Sequence, residues 1–357
     1  MGYNTETKNS IYFWKIIFTL MIITLHFFGN YPTYYRQGYV QGWYIAVEFF
    51  FIVSGYLIAL KCENKKNNIS ATQWVAKNIS KMYPHYLFSF AMCFIARMFF
   101  NHLPISSIIK NFIYSFPEIL LIHMAGFTQT QYYNGVSWYV SALILSGYLI
   151  YFLITNYKKF YLSLIAPVSI ILIYGYYYRF VGNIDVWSLT RVFISDALLR
   201  GFAGMSLGVL CFYANRKIRV FEFTKLTYCL SRLIEIFGFL FVVLFSLKFG
   251  WTQTDFLMIV VLAVSITLAF LPHNGLIFNN RIVIYLSELT FPIYLNHYLW
   301  CGIILPHYFA ADTWSNGLFM IYIVIIVIYS MITKYIIDKI RSKINRWFVI
   351  HKSEPIN

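Results

Sequence analysis

The stretch Trp14-Lys15-Ile16-Ile17-Phe18-Thr19-Leu20-Met21-Ile22-Ile23-Thr24-Leu25-His26-Phe27 is apolar except for a lysine near its start and a histidine near its end. Apolar runs of this kind recur along the whole chain. Each is close to the ~20 residues that a helix needs to cross a hydrocarbon core about 30 Å thick. At 100° per residue the step from Lys15 to His26 is three turns plus about 20°, so the two side chains share one face, roughly 16 Å apart along the axis. A plain lipid anchor needs neither group. Ionisable residues in a spanning helix are costly and mark functional positions.

Composition agrees with a membrane protein. The 357 residues are 60% hydrophobic and 11% charged, against about 25% charged in an ordinary soluble domain. The 31 Tyr and 35 Phe suit aromatic belts at the two interfaces. A net charge of +15 would suggest nucleic acid, but the excess sits in short loops between apolar runs, where topology accounts for it. The five cysteines are scattered without metal-ligand spacing, so core thiols and no metal are expected. The first apolar run lacks a small-residue cleavage site and reads as a signal anchor.

The expected fold is all-α: a polytopic membrane helical bundle of about ten transmembrane helices, from the ~20-residue criterion. The spans fall near 12–29, 41–60, 84–101, 137–155, 160–178, 191–213, 233–249, 255–271, 283–303 and 316–337. A further stretch, 111–127, contains Pro117, Glu118 and His123. If it crossed, Lys158, Lys159, Arg216, Lys217, Arg219, Lys225 and Arg232 would lie outside, against the positive-inside rule. It is therefore expected to be re-entrant or interfacial. Both termini are then cytoplasmic, with one membrane domain at 1–350 and a short cytoplasmic tail at 351–357. Lys61, Lys65, Lys66, Lys77 and Lys81 stay inside, and the outer loops keep little beyond Arg36, Lys110 and Arg179. Lys15 then lies near the cytoplasm, while His26, Glu48 and His297 come from three helices to similar depth in the outer half.

Four segments bear a family resemblance. They are Lys15 to His26, a Lys-x10-His pattern; Val47-Glu48-Phe49-Phe50-Phe51-Ile52-Val53-Ser54-Gly55-Tyr56-Leu57-Ile58; Ser137-Trp138-Tyr139-Val140; and Leu286-Ser287-Glu288-Leu289-Thr290-Phe291-Pro292-Ile293-Tyr294-Leu295-Asn296-His297. In order and spacing the chain resembles the acyltransferase 3 family, in its stand-alone form without an appended esterase-like domain. Two positions depart from that pattern. Asn78 stands where the family's first cytoplasmic loop has the first Arg of Arg-x-x-Arg, and Leu143 stands where members with the appended domain often have Glu.

The resemblance implies a multi-pass O-acyltransferase of the cell membrane that moves an acyl group, usually acetyl, from cytoplasmic acyl-CoA to a hydroxyl of a surface or lipid-linked glycan. Lys15, Lys77 and Lys81 are the candidates to hold coenzyme A phosphates. His26 is the candidate base, Glu48 its orienting partner, and His297 either a further site residue or a brace for the Pro292 helix. Direct transfer and an acyl-His26 intermediate are both compatible with these residues. Trp138 and Tyr139 are either interfacial anchors or substrate contacts, and Glu118, with His123, could reach the outer cluster. Arg200 is expected to pair with Asp196 four residues earlier, with a possible place on the substrate path. Two other classes fit a chain with many spans: a glycan flippase or other transporter, and a glycan polymerase-type membrane glycosyltransferase.

Overall fold

The computed structural model describes residues 6–30, 40–64, 69–126, 133–187, 194–221, 223–271, 280–310, 313 and 315–352. Arg36, Lys65, Lys66 and the tail beyond 352 lie outside the described residues. Helices dominate, and no strand occurs among the described residues. Each apolar run expected to span coincides with helix: α1 (Glu6–Gly29), α2 (Ala46–Glu63), α3 (Ala71–Phe100), then a short α4 (Ile105–Tyr114). There follow α5 (Ser137–Phe160), α6 (Ala166–Tyr176), α7 (Asp196–Ile218), α8 (Lys225–Phe245), α9 (Thr254–Ala269), α10 (Arg281–Leu299) and α11 (Asn316–Lys352). Among the described residues, six helical stretches are long and apolar enough to cross a membrane. One of them, Ser137–Val181, is 45 residues long and contains a kink at Tyr157 (φ −131°, ψ 37°), directly before Lys158 and Lys159. The helices α3, α9 (16 residues) and α10 fall short of that criterion, so it identifies fewer spans than the expected ten or so.

The 111–127 stretch holds no long helix. The ten-residue α4 precedes it and overlaps its start, and at 1.5 Å per residue reaches only about 15 Å, half of a hydrocarbon core. A four-residue turn (Phe116–Ile119), a left-handed Leu121 (φ 60°) and a 3-10 turn at His123–Ala125 follow. No residue of α4 is buried, and Ile105, Ile109 and Ile113 stay exposed. An exposed apolar face on a short helix suits a position lying on the membrane.

Side-chain ties define the two ends of the bundle. At one end Glu63, closing α2, meets Lys158 of α5, Arg216 of α7 at 2.5 Å and the Tyr213 hydroxyl at 2.8 Å. At the other, Tyr44 before α2 donates to Asp255 of α9 at 2.6 Å, and the Trp251 indole donates to Asp185 at 3.1 Å. That alternation of ends matches the charge pattern with 111–127 not crossing. The centre is close-packed. A Cβ on Gly55 of α2 would come 1.8 Å from the Met205 carbonyl oxygen, and one on Gly208 of α7 would come 1.9 Å from that of Ile52. Only glycine permits this approach of two helix backbones, the usual device where lipid supplies no hydrophobic drive. The last helix locks α1 to α10: Tyr322 donates to the Ile23 carbonyl at 3.0 Å, and the Asn296 amide donates to Thr333 at 3.0 Å and Ser330 at 3.3 Å.

Candidate active site

The helices α1 and α10 pack side by side, and their facing stripes carry the site. On α1 the stripe runs Lys15, Thr19, Ile22, His26, and on α10 it runs Thr290, Tyr294, His297, each step a helical i, i+4 or i+3 neighbour. At the far end of the stripes His297 Nε2 lies 2.9 Å from His26 Nδ1, the ring centroids 5.0 Å apart. His297 is wholly buried, and its Nδ1 donates to the Tyr294 carbonyl at 2.5 Å. His26 is only partly buried, so of the two rings it is the one a substrate can reach.

Below the histidines the stripes enclose a cavity of about 140 Å³. Lys15, Thr19 and Ile22 of α1 line it with Val47 and Phe50 of α2, Met82 of α3, Tyr139 and Leu143 of α5, and Thr290, Phe291 and Tyr294 of α10. Both stripes reach the histidine pair one turn beyond it. Lys15 sits at its other end, half-buried, with its ammonium donating to the Ser287 carbonyl at 3.5 Å and facing Glu288. The space is walled mostly by apolar groups, with the Lys15 ammonium at one end and the imidazoles one turn beyond the other.

A family model for the acyltransferase domain of the acyltransferase 3 family matches residues 8–338. The chain belongs to the acyltransferase 3 family. No curated protein and no solved structure shows a significant match. The protein is thus a membrane acyltransferase, and the remaining candidates are placed within that frame.

Glu48 makes no hydrogen bond to His26 among the described residues. Its carboxylate accepts from Arg200 Nε at 2.6 Å and from the Tyr174 hydroxyl at 2.7 Å, and both members of the Glu48–Arg200 pair are 0% exposed. Arg200 also donates to the carbonyls of Tyr44 at 3.2 Å and Val186 at 3.4 Å, and packs over the Trp138 ring, its guanidinium carbon 5.6 Å from the centroid. Its carboxylate partner is therefore Glu48 and not Asp196, because the tertiary neighbour satisfies more of the guanidinium than a residue one turn back. The pair serves α2–α7 packing in this acyltransferase.

Trp138 and Tyr139 are interior and not interfacial, at 7% and 8% exposure. Trp138 lies under Arg200, and Tyr139 stands edge-on to Tyr294 at 5.5 Å, forming part of the cavity wall. Glu118 is buried and does not contact the histidines. It accepts from the Tyr133 and Asn134 amides at 2.8 and 3.0 Å and from the Ser137 hydroxyl at 2.9 Å, while His123 meets the same hydroxyl at 3.2 Å. Burial pushes its carboxyl up to about 7. This knot supports α10 indirectly, because Asn134 and Ser89 both donate to the Leu295 carbonyl, at 3.1 and 2.7 Å. Lys77 and Lys81 are exposed on α3, their charges acting on Lys61 at the same end, with Lys81 one residue before the cavity-lining Met82. The residues that sequence reasoning missed are Tyr294, Thr19 and Thr290. Tyr294 lies one helical step from His297 and Thr19 one from Lys15, and Thr290 lies two from His297, so the stripe itself was the available signal.

Proposed function

We propose that this acyltransferase moves an acetyl group from cytoplasmic acetyl-CoA to a hydroxyl of a surface or lipid-linked glycan, as a multi-pass protein of the cell membrane. The observation that carries this is the cavity between Lys15 and the histidine pair. At about 140 Å³ it is well below the roughly 300–1,000 Å³ of a site that engulfs a whole ligand. Its size and apolar walls suit the acyl-thioester end of a slender arm. The nucleotide phosphates would stay outside with Lys15, Lys77 and Lys81, and the thioester would be delivered to His26.

A sugar hydroxyl is a weak nucleophile until its proton is taken, and a neutral imidazole is fitted to take it. In direct transfer His26 accepts the hydroxyl proton and the oxygen attacks the thioester carbonyl. The C–S bond then breaks, and the His26 imidazolium returns the proton to the coenzyme A sulfur. The products are the O-acetyl ester and free thiol. The positive charge arises when His26 takes the hydroxyl proton and is cancelled when that proton goes to the sulfur, while the carbonyl oxygen carries the matching negative charge until the C–S bond breaks.

The test is purified protein with labelled acetyl-CoA and the glycan-lipid fraction of the host's own membranes as acceptor. Wild-type protein should release thiol and label the fraction in an alkali-labile linkage. His26→Ala should lower both by roughly 10²–10⁴-fold. Near-normal labelling by His26→Ala would remove His26 from the chemistry, and no thiol release by wild-type protein from acetyl-CoA would remove the donor.

A further inference from the structure

The hydrogen-bond chain through the two histidines fixes where their protons are. A carbonyl oxygen only accepts, so the 2.5 Å contact to Tyr294 puts a proton on His297 Nδ1. A neutral imidazole carries one N–H, so His297 Nε2 holds a lone pair. The 2.9 Å contact then puts the proton of His26 on Nδ1, and the remaining lone pair of the pair is on His26 Nε2. Among the described residues no carboxylate hydrogen-bonds to either ring.

We infer that His297 is a positioning residue for the acyl transfer: as a neutral acceptor it fixes His26 in the tautomer whose Nε2 faces the substrate, the task a carboxylate performs in most base dyads. This rests on His26 being the base. When Nε2 takes the hydroxyl proton, the Nδ1–H of the imidazolium becomes a stronger donor and the bond to His297 tightens. His297 shares the positive charge without itself changing protonation, and the Tyr294 carbonyl holds its far side. An imidazole suits this depth better than a carboxylate would. It is uncharged at rest, whereas an ionised carboxylate in the membrane interior needs its own partners, as Glu48 has in Arg200 and Tyr174.

The test compares His297→Gln with His297→Leu, since a glutamine oxygen can accept from His26 Nδ1 and a leucine cannot. The probe is labelled acetyl-CoA with the host glycan-lipid fraction. His297→Leu should lower kcat by roughly 10²-fold or more, and His297→Gln should stay within about 10-fold of wild type. In both, KM for acetyl-CoA should move less than about 3-fold, since no contact to the donor is lost. A second measurement needs no variant: diethyl pyrocarbonate on the intact protein should modify His26, read by peptide mass mapping, because its Nε2 is unengaged. Wild-type kcat in His297→Leu with a dead His26→Ala would overturn this inference alone, α1's own Ile22 carbonyl, which faces the His26 ring, then sufficing to orient it. Equal loss in the Gln and Leu variants with KM intact would overturn the acceptor role, since the imidazole itself would then be required. Failure of carbonate to reach His26 would overturn the free Nε2. Wild-type rate in His26→Ala would instead sink the base assignment on which all of this stands.

Discussion

Removing the cation that faces Glu48 tests whether that carboxylate holds helices together or takes part in chemistry. In the native protein Glu48 accepts from Arg200 at 2.6 Å and Tyr174 at 2.7 Å, with both ion-pair members wholly buried. Arg200→Met leaves the carboxylate with Tyr174 alone. Breaking one side of a buried pair costs about 3–5 kcal/mol, whereas replacing both sides with groups of similar volume is often near neutral. Glu48→Gln/Arg200→Met should therefore recover most of the loss seen in Arg200→Met. Recovery will be incomplete, since the Tyr44 and Val186 carbonyls lose their donor and an unsatisfied buried acceptor costs about 1–3 kcal/mol. The assay is thermal unfolding in detergent, followed by size exclusion of a fluorescently tagged protein, with thiol release normalised to folded protein. Stability should fall in each single variant and rise again in the double, while activity per folded molecule stays within about 3-fold, because no group that touches substrate is lost. A Glu48→Gln protein that folds normally yet loses roughly 10²-fold in rate would refute this reasoning and return Glu48 to the reacting centre.

Three further outcomes bear on the path of the donor and on topology. Lys15→Ala should weaken coenzyme A binding in calorimetric titration by a charge-assisted contact of ~1.5–3 kcal/mol, about 10- to 150-fold, with the exposed Lys77 and Lys81 contributing less; unchanged affinity in Lys15→Ala would detach the cavity from the donor. Leu143→Trp places a large ring in the cavity of about 140 Å³ and should suppress turnover of acetyl-CoA without lowering expression, whereas normal turnover would mean that the thioester arrives by another route. Cysteines placed at 61, 158 and 216 should label together from the cytoplasmic side and those at 102 and 185 from the outer side; label at 158 from outside would make 111–127 a span.

Much of the helical framework was legible because a lipid-facing helix must be apolar along its length, and hydropathy reports that directly. What hydropathy missed were the polar ends. The apolar part of α3 begins near Pro84, but the helix starts at Ala71, after a Ser70–Gln73 capping box, since turns beyond the hydrocarbon core need no apolar residues. The Lys15–His26 register was legible because it lies within one helix. The Glu48–Arg200 contact spans 152 residues and the His26–His297 contact 271, and no local rule reaches so far. The i, i+4 rule pointed Arg200 at Asp196, whose backbone carbonyl instead takes the Tyr177 hydroxyl at 2.9 Å.

The chain keeps its buried ion pair apart from its histidine pair. Glu48 and Arg200 pair between α2 and α7, beside a contact of two glycine-lined backbones, and the histidines between α1 and α10 have no carboxylate partner among the described residues. Had Glu48 reached His26, the base would sit beside a permanent negative charge at membrane depth, and Arg200 would need another partner. In the proposed transfer, the rings gain positive charge when His26 takes the proton of the acceptor hydroxyl and lose it when that proton leaves with the thiol. The cavity below can then stay apolar along the whole path from Lys15, which is what an acyl thioester requires of its walls and what a diffusing ion would not find favourable. In the proposed transfer, that lining suits an acyl-thioester path better than a transport path.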